Sequence, residues 1–396
     1  MSDAPFSFKE IAIPAFGPSL LFGIGEGAIL PVIALSAREL DASVAIAGLI
    51  VGLINIGSLF SNIPAAMIID RYGERLSMIG AAIFSALALI LCLIPGQIWL
   101  LALGVLMIGI ASSVFLLARQ TFLIEAVPVY MRARAMSTLG GTMRIGIFVG
   151  PFLGAALMHF MGLPGAYWVA IIAMLSAGLL SFAIPELENR QQSSAGQSTP
   201  TKLIHVARTH LKVFATLGFG ILLVSALRSS RQIVIPLWAD QLGLSPTTTS
   251  IIYGLVAAID MLVFYPAGKA MDQRGRLWVA VPSVVLMGFS LVFIPLTTGL
   301  ISFLIVSMMM GFGNGIGSGL IMTLGADASP KAGRTQFLGI WRLISDVGGS
   351  GAPLLLSAVT ALFSLAAGIV TTGVLGFLAA GVFWRCLPHT RTAKKQ

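Results

Sequence analysis

The chain has 396 residues, 57% of them hydrophobic and 10% charged, with a formal net charge of +9. Soluble domains carry about 25% charged residues, so a chain this apolar cannot cover a soluble surface. Composition excludes a soluble enzyme or binding module and requires an integral membrane protein. The basic excess does not indicate a nucleic-acid partner either. It sits in short loops between apolar runs, where membrane proteins collect Lys and Arg on the cytoplasmic side.

Met1–Glu10 is polar, and the apolar run that follows lacks a small-residue cleavage site. The first span is therefore expected to act as its own insertion signal. A hydrocarbon core of about 30 Å takes about 20 apolar residues as helix. Twelve such runs are predicted, at 11–36, 44–69, 76–95, 98–126, 136–160, 164–185, 213–239, 246–271, 277–297, 299–326, 335–362 and 364–386. Some neighbours are parted only by Pro/Gly turns, such as Pro95-Gly96-Gln97 and Gly162-Leu163-Pro164-Gly165. One side of the membrane receives Lys9, Arg71, Arg75, Arg132, Arg134, Arg190, Lys202, Arg208, Lys212, Lys269, Arg274, Arg276, Lys331, Arg334 and the basic tail from Arg385 to Lys395. The other side has essentially Arg38. That bias places both termini in the cytoplasm of a bacterial-type inner membrane, and an even number of spans agrees with it.

Between the sixth and seventh runs the composition changes. Gln191–Ser198 reads as a flexible linker. Thr201–Lys212 has two readings, a basic helix on the membrane surface or an unstructured loop. The expected division is 1–185 as one six-helix bundle, 186–212 as a cytoplasmic linker and 213–396 as a second bundle. Cys92 and Cys386 lie in apolar runs and are read as buried free thiols. Four scattered histidines give no metal spacing, so no metal site is expected.

An internal repeat supports the two bundles. Pro64–Arg75 ends one apolar run in a short charged turn, and Pro266–Arg276 repeats it, with Asp272 following Asp70 by 202 residues. Glu26-Gly27-Ala28-Ile29-Leu30-Pro31 aligns with Arg231-Gln232-Ile233-Val234-Ile235-Pro236, Glu125-Ala126-Val127-Pro128 with Asp327-Ala328-Ser329-Pro330, and Arg144 with Arg342. The nearly constant offset in one order indicates a duplicated six-helix unit. The predicted fold is an all-α membrane protein of twelve transmembrane helices in two six-helix pseudo-repeats.

These residues resemble the major facilitator superfamily. Its loop between the second and third helices follows G-x-x-x-D-R-x-G-R-[RK]. The second copy here keeps most of it in Gly268, Asp272, Gly275 and Arg276, whereas the first has Asp70, Arg71 and Gly73 but departs at Ala66 and Glu74. Glu125 to Pro128 and Arg132 to Ala135 resemble the D-x-x-P…R-G-R-A stretch. Gly146, Gly150, Pro151 and Gly154 resemble the G-x-x-x-G-P-x-x-G element of the twelve-span drug:proton antiporter branch. The fourth-helix arginine that this branch often carries is absent, with Val105 in its place, and Arg119 is read as its substitute. By the resemblance, Asp70 and Asp272 latch a cytoplasmic gate against helix N-termini, where the dipole favours an anion. Arg71, Arg75, Glu125 and Asp327 then belong to the same gating turns, and Arg276 is positioned to pair with Asp327. Plain topology signalling is the other reading of these loops.

A charge inside the bilayer costs about 2.5–3.5 kcal/mol or more, which makes buried ionisable residues functional candidates. Eight fall inside predicted spans: Glu26, Arg119, Arg144, Arg228, Arg231, Asp260, Arg342 and Asp346. Arg228 and Arg231 share a helix face, and Arg342 and Asp346 are spaced to pair. All eight lie on helices that, by the resemblance, line or gate a central cavity. Arg119, Arg144, Arg228, Arg231 and Arg342 are the substrate-cavity candidates, and Glu26, Asp260 and Asp346 the proton-coupling candidates. Arginine–acid pairs that merely join helices are the competing reading for each. Gly311–Gly319 lacks the βαβ setting and the Lys-Ser or Lys-Thr of a nucleotide loop, and is read as helix packing.

The expected function is alternating-access secondary transport: proton-coupled export of drug-like or amphipathic small molecules by a monomer, with the proton gradient as energy source and no cofactor. Import or exchange of a specific organic anion is one alternative, and lipid flipping another. An enzyme is not expected, because no nucleophile–base or metal constellation is present.

Overall fold

The computed structural model describes residues 8–94, 96–128, 131–184, 203–330 and 333–387. The linker stretch Gln191–Ser198 lies outside them. With no water in a hydrocarbon core, each backbone N–H must find a carbonyl within its own segment. The described residues are accordingly helical, with no strand among them.

The first run supplies the span expected over 11–36, with a break in its helix after α1 (Phe8–Ile29). Pro31 has no N–H to donate and its ring crowds the carbonyl four residues back. A short helix, Ile33–Glu39, completes the crossing. Val44–Leu93 is helical except at Gly73, where φ is 80° and ψ 169°, a conformation that glycine alone adopts readily. It divides the stretch into α2 (44–72) and α3 (74–93), so the loop expected between 69 and 76 shrinks to one residue. The Ser77 hydroxyl donates to Gly73 O at 2.6 Å and fastens the first turn of α3 to it.

Next come α4 (Ile98–Ala126), α5 (Arg132–Met161) and α6 (Pro164–Ser181). Leu203–Thr209 is a short helix, so the unstructured-loop reading of the linker's basic end does not hold over those residues. Leu211–Val213 and a π-helical turn, Phe214–Gly218, lead into α7 (Phe219–Gln241). α8 (Pro246–Arg274) stops at Gly275, whose φ of 99° repeats the Gly73 device before α9 (Leu277–Phe293). α10 is in two pieces, Leu300–Ile316 and Leu320–Ala328, followed by α11 (Arg334–Leu362) and α12 (Leu365–Cys386). Among the described residues, eleven helices are long and apolar enough to cross a bilayer, and the 50-residue one, bent at Gly73, is long enough for two crossings, which is consistent with twelve. Large apolar side chains such as Phe60, Trp99 and Leu179 point outward at 76%, 81% and 72% exposure, as a lipid-facing surface requires.

The chain forms two compact units. Unit 1 comprises Met1–Leu40, Ile56–Asn189 and Pro246–Gly254, and unit 2 comprises Asp41–Asn55, Arg190–Ser245 and Leu255–Gln396. Inside unit 1, α1 and α5 meet main chain to main chain. A methyl group built on Gly23 would come 2.6 Å from Met143 O, and one on Gly27 2.7 Å from Ile147 O. On the facing helix, Gly146 and Gly150 abut the carbonyls of Leu20 and Ile24, while Gly154 is looser at 3.5 Å from Ala28 O. Inside unit 2, α7 and α11 approach in the same way where Gly348 abuts Leu222 O, and α9 meets α12 where Gly288 and Gly376 face each other. Lipid tails are as apolar as leucine, so close packing through small residues is what joins such helices.

Replacing Gly146 or Gly150 with leucine is therefore expected to abolish recovery of monodisperse protein in detergent. Gly140→Ala and Gly141→Ala, on the same helix but with nothing within 4 Å of an added methyl, should leave size-exclusion profiles and yields unchanged.

Candidate functional site

The glycine seam sets where Glu26 points. Gly23 and Gly27 face α5, and a helix turns about 100° per residue, so Glu26 is directed toward α4. There Ser112 Oγ donates to Glu26 Oε1 at 2.9 Å. Arg119, two helical turns further along α4, is the electrostatic partner of this carboxylate. Its Nε and Nη1 are buried with no hydrogen bond. One turn from Glu26, Phe22 stacks on Phe115 with centroids 4.0 Å apart and both rings fully buried. Next to Ser112, Ser113 Oγ donates to Asn62 Oδ1 of α2 at 2.9 Å. Unit 1 thus holds a carboxylate, a guanidinium and several neutral polar groups within an apolar bundle. Arg144 lies part-buried on α5 of the same unit.

Unit 2 holds a second cluster. Arg231 of α7 stands 3.6 Å from Asp260 of α8, with side-chain exposures of 13% and 14%. Asn314 Nδ2 of α10 donates to Asp260 Oδ2 at 2.8 Å. Gly315 is needed beside it, since an added methyl would lie 2.8 Å from Asp260 O. Arg228, on the same face of α7, reaches the carbonyls of Gly317 and Ser318 at 3.5 and 3.4 Å. Those carbonyls belong to the break in α10; Gly317 O also accepts from Leu320 N–H at 3.0 Å, and the guanidinium adds a donor there and at Ser318 O. The glycine run at 311–319 therefore does two things. Gly311, Gly313 and Gly315 pack closely against α8 and α9, and Gly317–Gly319 is where the helix unwinds.

The Arg342–Asp346 pair is looser. The atoms are 3.9 Å apart and the side chains 57% and 32% exposed. Nearby, Ser225 of α7 and Ser345 of α11 share a hydrogen bond of 2.6 Å. Each of the three acids is thus set against an arginine of its own unit. Among the charged turns, the second is knit together: Arg276 Nε donates to Asp327 Oδ2 at 2.8 Å, and its Nη1 reaches Met271 O at 3.1 Å and Asp272 Oδ1 at 3.5 Å. In the first turn Arg71 lies over the Tyr72 ring at 5.5 Å and Arg75 over the Phe182 ring at 5.9 Å. Asp70 is exposed at the end of α2, and Glu125 lies in the last turn of α4.

Sequence reasoning passed over Ser112, Ser113, Asn62 and Asn314. A signal was available, because Ser112 and Asn314 are 202 residues apart, the same offset as Asp70 and Asp272. Each is a neutral donor inside an apolar run, and each bonds the buried carboxylate of its own unit. No group of three or more His, Cys, Asp or Glu side chains suited to a metal ion is found among the described residues.

A profile described as the Major Facilitator Superfamily matches residues 17–353 and 217–396. The chain is 23% identical over 337 residues to the "Multi-drug resistance efflux pump PmrA homolog" of Lactococcus lactis subsp. lactis (strain IL1403), covering 83% of this chain and 81% of that one. It is 22% identical over 338 residues to "Multidrug resistance protein MdtH" of Yersinia pestis (strain Pestoides F), covering 84% and 82%. In fold it is similar to a D-xylose-proton symporter, with a TM-score of 0.79, 17% identity and coverage of 97% and 99%. It also resembles a bacterial homologue of the human lysosomal transporter Spinster, with a TM-score of 0.77, 15% identity and coverage of 97% of each chain.

Breaking a buried ion pair on one side leaves an uncompensated charge and costs about 3–5 kcal/mol, whereas replacing both partners by apolar groups is often neutral. Arg231→Met is therefore expected to lower the thermal unfolding midpoint of the purified protein markedly. The double variant Arg231→Met/Asp260→Leu should recover most of that loss.

Proposed function

The chain belongs to the Major Facilitator Superfamily, and from that premise we propose that it is a proton-coupled exporter of drug-like or amphipathic small molecules, working by alternating access. It is a multi-pass membrane transporter and not an enzyme. The observation that carries the finer reading is the pair of membrane-embedded carboxylates, Glu26 and Asp260, each set between an arginine and a neutral hydrogen-bond donor. The names of the relatives, multidrug efflux and multidrug resistance, support the direction and the breadth of substrate. At 22–23% identity they bear on the class of activity rather than on one compound.

The chemistry follows from the charges. Desolvation favours the protonated form of a carboxyl and a neighbouring arginine favours the ionised form. A carboxylate that loses its arginine in one conformation therefore takes up a proton, and gives it back when the arginine returns. Glu26 is the first candidate for that role, because it sits at the repeat position opposite Arg231 and has Arg119 as its electrostatic partner. Asp260 is the second site. Asp346, in a looser and more exposed pair, is the weakest of the three. The basic turns and both termini are assigned to the cytoplasmic face of a bacterial inner membrane. The Asp272–Arg276–Asp327 cluster is assigned to the gate there, with Asp70, Arg71 and Arg75 its less regular counterpart.

A second reading, exchange of a specific organic anion, is favoured by the five arginines that stand against three acids in the spans. Transport in proteoliposomes with and without an imposed pH gradient separates the two, since that gradient drives uphill accumulation by a proton-coupled exporter and leaves substrate exchange unchanged. With an imposed pH gradient as the only energy source, Glu26→Gln is expected to lose uphill accumulation of an amphipathic dye while keeping counterflow. Accumulation at the wild-type level would remove Glu26 from the coupling role.

A further inference from the structure

Unit 1 carries a groove that neither charged cluster uses. It is open, has a volume of about 410 Å³ and runs along α3 between the end of α2 and the middle of α4. Its walls include Ile68, Tyr72 and Leu76, which stay 38%, 55% and 55% exposed. Its floor is made of small residues, Gly80, Ala81 and Ala111. Gly80 creates the space, because a methyl group built there meets nothing within 4 Å. The one hydroxyl on the floor, that of Ser77, is already donated to Gly73 O at 2.6 Å. An occupant must therefore be apolar along its length.

Length and charge narrow the occupant. From the start of α3 to Phe84, the deepest lining residue on that helix, ten residues rise about 15 Å, half of a hydrocarbon core of about 30 Å. That is the depth of one leaflet. Charge is present only at the end next to Gly73. There the Arg71 guanidinium lies 5.5 Å over the ring of Tyr72, which is itself a wall of the groove. Arg75 sits near it over Phe182 at 5.9 Å, and Asp70 and Glu74 share the turn. A planar guanidinium at the mouth of an apolar channel suits a phosphate attached to a long hydrocarbon chain, and basic pockets beside transmembrane helices are known to take phospholipid headgroups.

We propose that this groove binds one acyl chain of a glycerophospholipid from the leaflet that faces the basic turns, with the lipid phosphate held by Arg71. Ile68, Tyr72 and Leu76 flank the single-residue turn at Gly73 on both sides, so a chain lying in the groove packs against both helices that the turn joins and braces it. The site is separate from the transport reading and stands or falls without it.

The test is photolabelling of the full chain in nanodiscs with phosphatidylglycerol carrying a diazirine near the end of one acyl chain, followed by peptide mapping. Labels are expected to concentrate on 76–84 and 110–114, above the level found on the exposed α6 positions Ile172 and Leu179. Gly80→Leu, which fills open space and should not disturb folding, is expected to abolish that enrichment, while Ile83→Ala on the adjoining exposed face should keep it. Arg71→Gln, and a diacylglycerol probe without the phosphate, should each reduce it about tenfold, as loss of one charge-assisted hydrogen bond predicts. Even labelling of all exposed apolar faces, unchanged by Gly80→Leu, would mean an unordered lipid annulus and overturn the proposal. Enrichment indifferent to Arg71→Gln and to loss of the phosphate would overturn the headgroup assignment.

Discussion

A bare charge in hydrocarbon is expensive, and that constraint organises the interior of this protein. Each acid placed within the spans is set against an arginine inside its own compact unit: Glu26 with Arg119, Asp260 with Arg231, Asp346 with Arg342. The two deeper pairs also draw a neutral donor from the fourth helix of their repeat, Ser112 in one and Asn314 in the other. The two units share the place of that neutral donor but not the placing of the charges, since Arg119 lies on the fourth helix of the first repeat and Asp260 on the second helix of the other. The first helix of the first repeat carries the acid, Glu26, and the aligned position in the second carries the base, Arg231. A pair that only joined helices would be served equally well by either order. On the proposed proton-coupled cycle, one unit whose leading charge is acidic and another whose leading charge is basic give separate places to a proton and a substrate.

Small residues make the pairs possible. The seam of Gly23, Gly27, Gly146 and Gly150 brings α1 and α5 into main-chain contact, which fixes the rotation of α1 and so directs Glu26 at α4. Gly315 does the same for Asp260 against α10. The breaks are as purposeful as the seams. Where α10 unwinds at Gly317–Gly319, a turn bond from Leu320 N–H to Gly317 O and the Arg228 guanidinium together pair the carbonyls at the break, so irregular backbone at membrane depth is paired as the bilayer demands. Discontinuous helices of this kind are where transporters of other folds place their ligand sites.

Much of this was legible in the sequence. Twelve crossings followed from run length and charge spacing, and the pseudo-repeat from the recurrence of Asp70 at Asp272. All eight ionisable residues picked out inside the spans lie on membrane helices, and three of the five arginines oppose acids. What could not be read was finer. Pro31 interrupts the helix of the first span because its missing N–H and its ring break the ladder inside an otherwise favourable apolar run. Gly73 reduces a loop to one residue because a positive φ turns the chain more sharply than any polar sequence requires. Ser112 and Asn314 stayed hidden because a neutral polar residue is a weak signal alone. Only the shared offset of 202 residues marks them.

The central claim is that substrate and protons move in opposite directions through these charge sites. Its most direct measurement is proton flux driven by substrate. Proteoliposomes of the wild-type protein would enclose a pH-sensitive dye, with no initial pH difference, and receive a substrate gradient from outside. The account predicts that inward substrate movement drives protons out of the lumen, so that the dye reports alkalinisation that a protonophore abolishes. Substrate entry at the same rate with no change of luminal pH would contradict it.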